Sequence, residues 1–196
     1  MFKKLSLKIT RFITKKNIVS ESNSEIFSAA AEAVLLWTVF FAAALVLSLI
    51  FDSFLETVLF LFGYLALHKF AGGIHFKSRE LTLLICIIFQ AVFAAFIKVV
   101  PLELASWLMI VSAAGATVIV HIYAPVDHED KRLSSKEKED YRFIARMITL
   151  VDMGLSFFVF VVLGEVTELN LFCLNFGLLC ASVSLLLGYF SNNTDK

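Results

Sequence analysis

Six apolar runs separated by short polar breaks set the pattern of this chain. They lie near residues 34–51, 54–70, 81–100, 102–124, 147–164 and 169–190. A helix needs about 20 residues, within a range of roughly 17–25, to cross a bilayer. Five runs meet that range, and the second does so if it continues through Phe70. Ahead of them, in a surface segment placed at residues 1–26, Phe2, Leu5, Ile9 and Phe12 alternate with Lys3, Lys4, Lys8 and Arg11. Such a pattern predicts a basic amphipathic helix in the headgroup plane, apolar side toward lipid. The expected fold class is all-α: a polytopic membrane protein with six transmembrane helices, an N-terminal amphipathic helix and no soluble domain. Residues 1–196 then form a single integral membrane domain.

Composition agrees with the pattern. Apolar residues make up 59% of the chain and Phe alone counts 21, against a usual apolar share of roughly 45–50%. Formal charge is zero, so net charge says nothing about partners. The positions of the charges say more. With six spans and the N-terminus inside, the inner segments 1–33, 68–80, 125–146 and the tail hold 16 of the 17 basic residues. Basic residues mark cytoplasmic loops, so both termini are expected in the cytoplasm of a multi-pass cell-membrane protein. Cys86, Cys173 and Cys180 all sit inside apolar runs, and their spacing fits no zinc framework. The basic start is not followed by a signal-peptide core and cleavage site.

Two polar breaks carry the candidate chemistry. The first runs from His68 to Arg79 and holds Gly72-Gly73, His68 and His75. A double glycine lets the backbone turn sharply just before His75, and imidazole, with a pKa near 6.5, can act as a base at neutral pH. The next helix carries Thr82 and Cys86 one turn apart, at i and i+4 on one face. A histidine beside a thiol makes a nucleophile-and-base pair; a thiol buried in lipid is otherwise inert. The second break, residues 123–142, is rich in both charges. Pro125 is expected to end the fourth span, and Ser134 or Ser135 to cap a new helix with Glu137 in its first turn. This break is either a solvated hairpin or a charged platform for a peptide.

Asp152 falls inside the fifth span. An ionisable group there is costly and points to function with a named partner: His75 or His121, oriented as a triad acid orients its imidazole, or else Arg146 in a structural ion pair. Gln90 and Asn175, also mid-span, read as helix-packing residues.

Ala71-Gly72-Gly73-Ile74-His75-Phe76-Lys77-Ser78 resembles the Gly-Gly-x-His-Ala-Lys-Ser signature of the accessory gene regulator B family of membrane endopeptidases. Tyr123-Ala124-Pro125-Val126-Asp127-His128 is similar to the stretch that closes that family's fourth span. The resemblance covers nearly the whole chain. It implies a cysteine endopeptidase that trims a short signal-peptide precursor for quorum sensing through a His/Cys pair, with closure of a thiolactone ring as one outcome. The family histidine falls on His75. The family cysteine follows it by seven positions, where this chain has Thr82. Cys86, one turn on, then supplies the thiol, or the chain is a non-catalytic peptide-binding or peptide-export protein, or position 82 carries an engineered replacement. The expected catalytic residues are His75, Cys86 and Thr82. The expected partners are a short amphipathic peptide precursor and the lipid bilayer, with a homodimer open; no cofactor, metal or nucleic acid is expected.

Overall fold

A computed structural model describes residues 2–16, 20, 23–73, 79–126, 134–162 and 165–194. The described residues form seven helices in chain order: α1 (Phe2–Lys15), α2 (Ser24–Ile50), α3 (Phe54–Ala71), α4 (Arg79–Ile97), α5 (Leu102–Tyr123), α6 (Ser135–Val162) and α7 (Glu165–Thr194). Six of them, α2 to α7, are long and apolar enough to cross a membrane. The protein is a multi-pass membrane protein of helices alone among its described residues.

Two helices outrun the apolar runs that announce them. Helix α2 starts at Ser24 and α6 at Ser135. The start of α6 is a capping box: the Glu137 N–H donates to Ser134 Oγ at 3.3 Å, and the Ser134 N–H donates to Glu137 Oε2 at 2.9 Å. Ser134, not Ser135, is therefore the cap. At the other end of the bundle, α2 and α3 are joined by a tight turn in which Asp52 takes a positive φ of 48°. Lys98 donates from its ammonium to the Asp52 carbonyl there, so the basic residue outside the other clusters neutralises a helix end.

Helix α7 is the central post, with more than half of its apolar stretch buried. It packs along both α3 and α5, with α6 against α5, α4 against α2, and α1 against the start of α2. The α3–α7 crossing is made by glycine. A Cβ on Gly63 would strike the Leu174 carbonyl oxygen, and one on Gly177 would strike that of Phe60. Close backbone approach through small residues is how membrane helices gain packing where lipid is as apolar as leucine. Helix α5 offers a matching stripe of Ala105, Ser112, Ala113 and Ala116, all buried. Buried amides tie the layers together: Gln90 Nε2 donates to Thr57 Oγ1 at 3.2 Å, and Asn175 Nδ2 to the Met109 carbonyl at 3.1 Å and Ser156 Oγ at 2.7 Å.

Helix α1 turns its hydroxyl face to α2. Ser6 and Thr10 are buried, with Ser6 Oγ 3.4 Å from Ser28 Oγ. Leu5 and Phe12 stay exposed, which leaves the apolar stripe uncovered by protein and available to lipid.

Candidate functional site

Both polar breaks meet at one end of the bundle. Helix α3 ends at Ala71, and Gly72 takes the left-handed conformation at φ 81°. The Ala71 carbonyl accepts the Val126 N–H at 3.0 Å, and a Cβ on Gly72 would strike the Val126 carbonyl oxygen. Glycine is required here twice over, for its φ and for its lack of side chain. Residue 73 is as tightly held: a Cβ there would come within 2.6 Å of Ser184 Oγ and against the His68 ring. The stretch after α5 thus clamps the turn after α3.

Helix α6 completes the clamp. Arg146 donates to the His121 carbonyl at 2.7 Å and Arg142 to the Ala124 carbonyl at 3.3 Å. Both guanidinium groups sit on the otherwise unsatisfied carbonyl end of α5, where positive charge is favoured. Tyr141 meets Phe70 edge to face at 5.6 Å, which brings the first turns of α6 against the last turn of α3.

Beneath the Gly72-Gly73 turn lies a polar and thiol cluster. The Tyr64 ring stacks on His68 with centroids 5.2 Å apart. The Tyr64 hydroxyl shares a hydrogen bond with Ser184, and the thiols of Cys86 and Cys180 lie within electrostatic reach of it. Tyr64 and His68 are one turn apart on α3, and Cys180 and Ser184 one turn apart on α7. Helix α4 carries Cys86 to within electrostatic reach of the Tyr64 hydroxyl. Its first turn is joined to the start of α1, for Glu80 accepts a hydrogen bond from the Phe2 N–H.

Of the residues singled out in the sequence, Thr82 and Cys86 lie on α4, both half-buried. His75 falls in 74–78 and lies outside the described residues, as does His128. Two expected pairings are not made. His121 donates from Nδ1 to the Thr117 carbonyl at 2.9 Å, and neither it nor Arg146 hydrogen-bonds the Asp152 carboxylate, whose oxygens have no partner among the described residues. Cys173 is buried in the phenylalanine-rich core with Phe60, Phe93 and Phe172, away from the turn. Sequence reasoning misses Tyr64, Cys180 and Ser184; the available signal is the pair of i, i+4 spacings on two runs. Among the described residues, no three His, Cys, Asp or Glu side chains gather in the way a metal ion needs.

The sequence profile of the family described as accessory gene regulator B matches residues 6–191. The chain belongs to the accessory gene regulator B family. The match takes in all six spans, the glycine turn and the Tyr123–Val126 stretch that holds it. Two Clostridium perfringens proteins named as AgrB-like, from strain 13 and strain SM101, are 26% and 25% identical to the chain. Each alignment runs over 144 residues, 71% of this chain and 67% of the relative. No solved structure matches the chain significantly. For this member of the accessory gene regulator B family, then, the clamped turn lies inside the stretch that the family profile covers, and the α3–α4–α7 cluster is its immediate surroundings.

Proposed function

We propose that this accessory gene regulator B family protein is a membrane-embedded cysteine endopeptidase. It processes a short signal-peptide precursor for quorum sensing at the cytoplasmic face, where both termini also lie. His75 is the general base and Cys86 the nucleophile, with Thr82 standing where the family carries its cysteine. The observation that supports this most is the fixed Gly72-Gly73 turn directly above the thiol cluster. Gly73 is held against His68 and Ser184, and Ser184 shares its hydrogen bond with the Tyr64 that Cys86 approaches. His75 follows Gly73 by two positions in the sequence.

In the reaction His75 takes the proton of the Cys86 thiol, and the thiolate attacks the scissile carbonyl carbon. Backbone N–H groups around Gly72-Gly73 or at the start of α4 hold the oxyanion. Collapse breaks the C–N bond, and His75 returns the proton to the departing amine. The thioester left on Cys86 is opened by water, giving an acid, or by a cysteine thiol of the peptide, giving a thiolactone ring.

A second reading, a protein that binds or exports the peptide without cutting it, is favoured by one observation. Thr82 occupies the family position, and a hydroxyl is a far weaker nucleophile than a thiolate. The test uses the chain in lipid nanodiscs with a short amphipathic candidate precursor peptide, the fragments being followed by mass spectrometry. His75→Ala and Cys86→Ala should each lower cleavage by about 10²–10⁴-fold or more, and Cys173→Ala should not. Full activity of Cys86→Ala removes that thiol from the mechanism. Peptide binding without cleavage by the native chain sustains the second reading.

A further inference from the structure

A groove of about 430 Å³ runs between α3, α6 and α7, and none of its lining residues belongs to the glycine turn. Its rim is Phe62, Met147, Val151 and Leu155, all exposed, and its floor includes Gly63 and Leu178. The one polar side chain in it is Asp152, only 7% exposed. The long polar side chains buried mid-span elsewhere in this bundle, Gln90 and Asn175, each donate to a neighbouring helix. Asp152 is different, because both of its carboxyl oxygens are buried with no hydrogen-bond partner among the described residues. It sits five residues into the apolar run that begins near Met147, about 7.5 Å along the helix at 1.5 Å per residue. An acid at such depth without a partner is expensive.

The chemistry of the lining decides what would complete it. A metal ion needs several oxygen or nitrogen ligands, and the groove offers one carboxylate among apolar side chains. The group that best completes it donates hydrogen bonds, carries the positive charge that a carboxylate favours and arrives on an apolar body. We propose that this groove is a docking site for a membrane-inserted helix bearing one basic residue, whose ammonium or guanidinium pairs with Asp152 while its apolar side chains fill the space between Phe62, Val151 and Leu155. The preference for a cation follows from the groove alone. That the helix is part of the signal-peptide precursor rests on the reading of the protein as a peptide processor.

The experiment uses the full chain in nanodiscs and two dye-labelled leucine–alanine helices of spanning length. One carries a single central lysine and the other norleucine in its place. The lysine helix should bind about 10- to 100-fold more tightly, the range of a hydrogen-bonded charge pair, and Asp152→Asn should bring the ratio close to one. A photocrosslinking residue in place of Phe62, with Asp152 intact, should capture the lysine helix and not the norleucine helix. That measurement stands even if Asp152→Asn fails to fold. Equal binding of the two helices, an unchanged ratio in folded Asp152→Asn, or equal capture at position 62 overturns the proposal. No cleavage is read, so a chain that selects the lysine helix yet never cuts a precursor sinks the peptidase reading alone. A chain that cuts its precursor but binds both helices equally sinks the groove alone.

Discussion

Replacing Gly177 with alanine adds one methyl group where α7 crosses α3, and the structure fixes what that methyl meets. The new Cβ would collide with the Phe60 carbonyl oxygen and stand 2.9 Å from the Tyr64 nitrogen. These obstacles are main-chain atoms of α3, which cannot rotate aside, so the helices must separate. Forcing extra volume into a packed core costs about 1–3 kcal/mol. Removing a glycine from a helix interior returns up to about 1 kcal/mol. The expected net effect is a loss of about 1–2 kcal/mol. Gly154 on α6 is the control, with nothing within 4 Å of the place a methyl would take, so Gly154→Ala keeps the propensity gain without the clash. Equilibrium unfolding in mixed micelles should move the two variants in opposite directions. The separation would also loosen the Tyr64–Ser184 hydrogen bond beneath the glycine turn, so Gly177→Ala should lose function as well as stability. Equal or same-sign shifts in the two variants would refute the claim that bare glycine backbone makes the crossing.

Three further outcomes are expected. Ser134→Ala removes the cap of α6 and should cost about 1 kcal/mol, read as faster amide exchange in the first turn of α6 with the buried half unchanged. Single cysteines at Ser78 and Ser135 should both be labelled from the cytoplasmic side only, because basic residues gather in the segments that hold them; labelling of either from outside intact cells would place the two polar breaks on opposite faces. If the native chain does not cleave, Thr82→Cys should restore cleavage by putting a thiol seven residues after His75, and a folded, peptide-binding Thr82→Cys protein that never cuts would leave the binding reading standing.

The spans are legible because each is a long apolar run bounded by charge, and Pro125 and the Ser134–Glu137 pair announce where α5 stops and α6 starts. Which helices form the centre is not legible. Helices such as α2, α3 and α7 are apolar nearly all round, so their periodicity carries little information about a buried face. The information sits in small residues instead: Gly63, Gly177 and the alanine stripe of α5 mark where backbones approach. Hydropathy alone begins the fifth span near Met147, whereas α6 reaches back to Ser135. The reason is local, for Ser135-Lys136-Glu137-Lys138-Glu139 is a strong helix-forming string behind a cap.

The candidate site divides along the same line. The glycine turn can be read from sequence, but not that Val126 holds it, since a contact between residues 71 and 126 has no local signature. Nor can sequence show that Cys86 and Cys180 both come within electrostatic reach of Tyr64, because that needs α3, α4 and α7 in register. The register bears directly on Thr82. A residue four positions along a helix lies about 6 Å deeper and about 40° round the axis, so Cys86 faces nearly the same way as Thr82 but further from the helix start. Tyr64 is likewise one turn before His68 on α3, and Cys180 one turn before Ser184 on α7. Thiol chemistry at Cys86 would therefore require the peptide carbonyl to reach the Tyr64 level of the bundle, one helical turn deeper than a thiol at position 82 would demand.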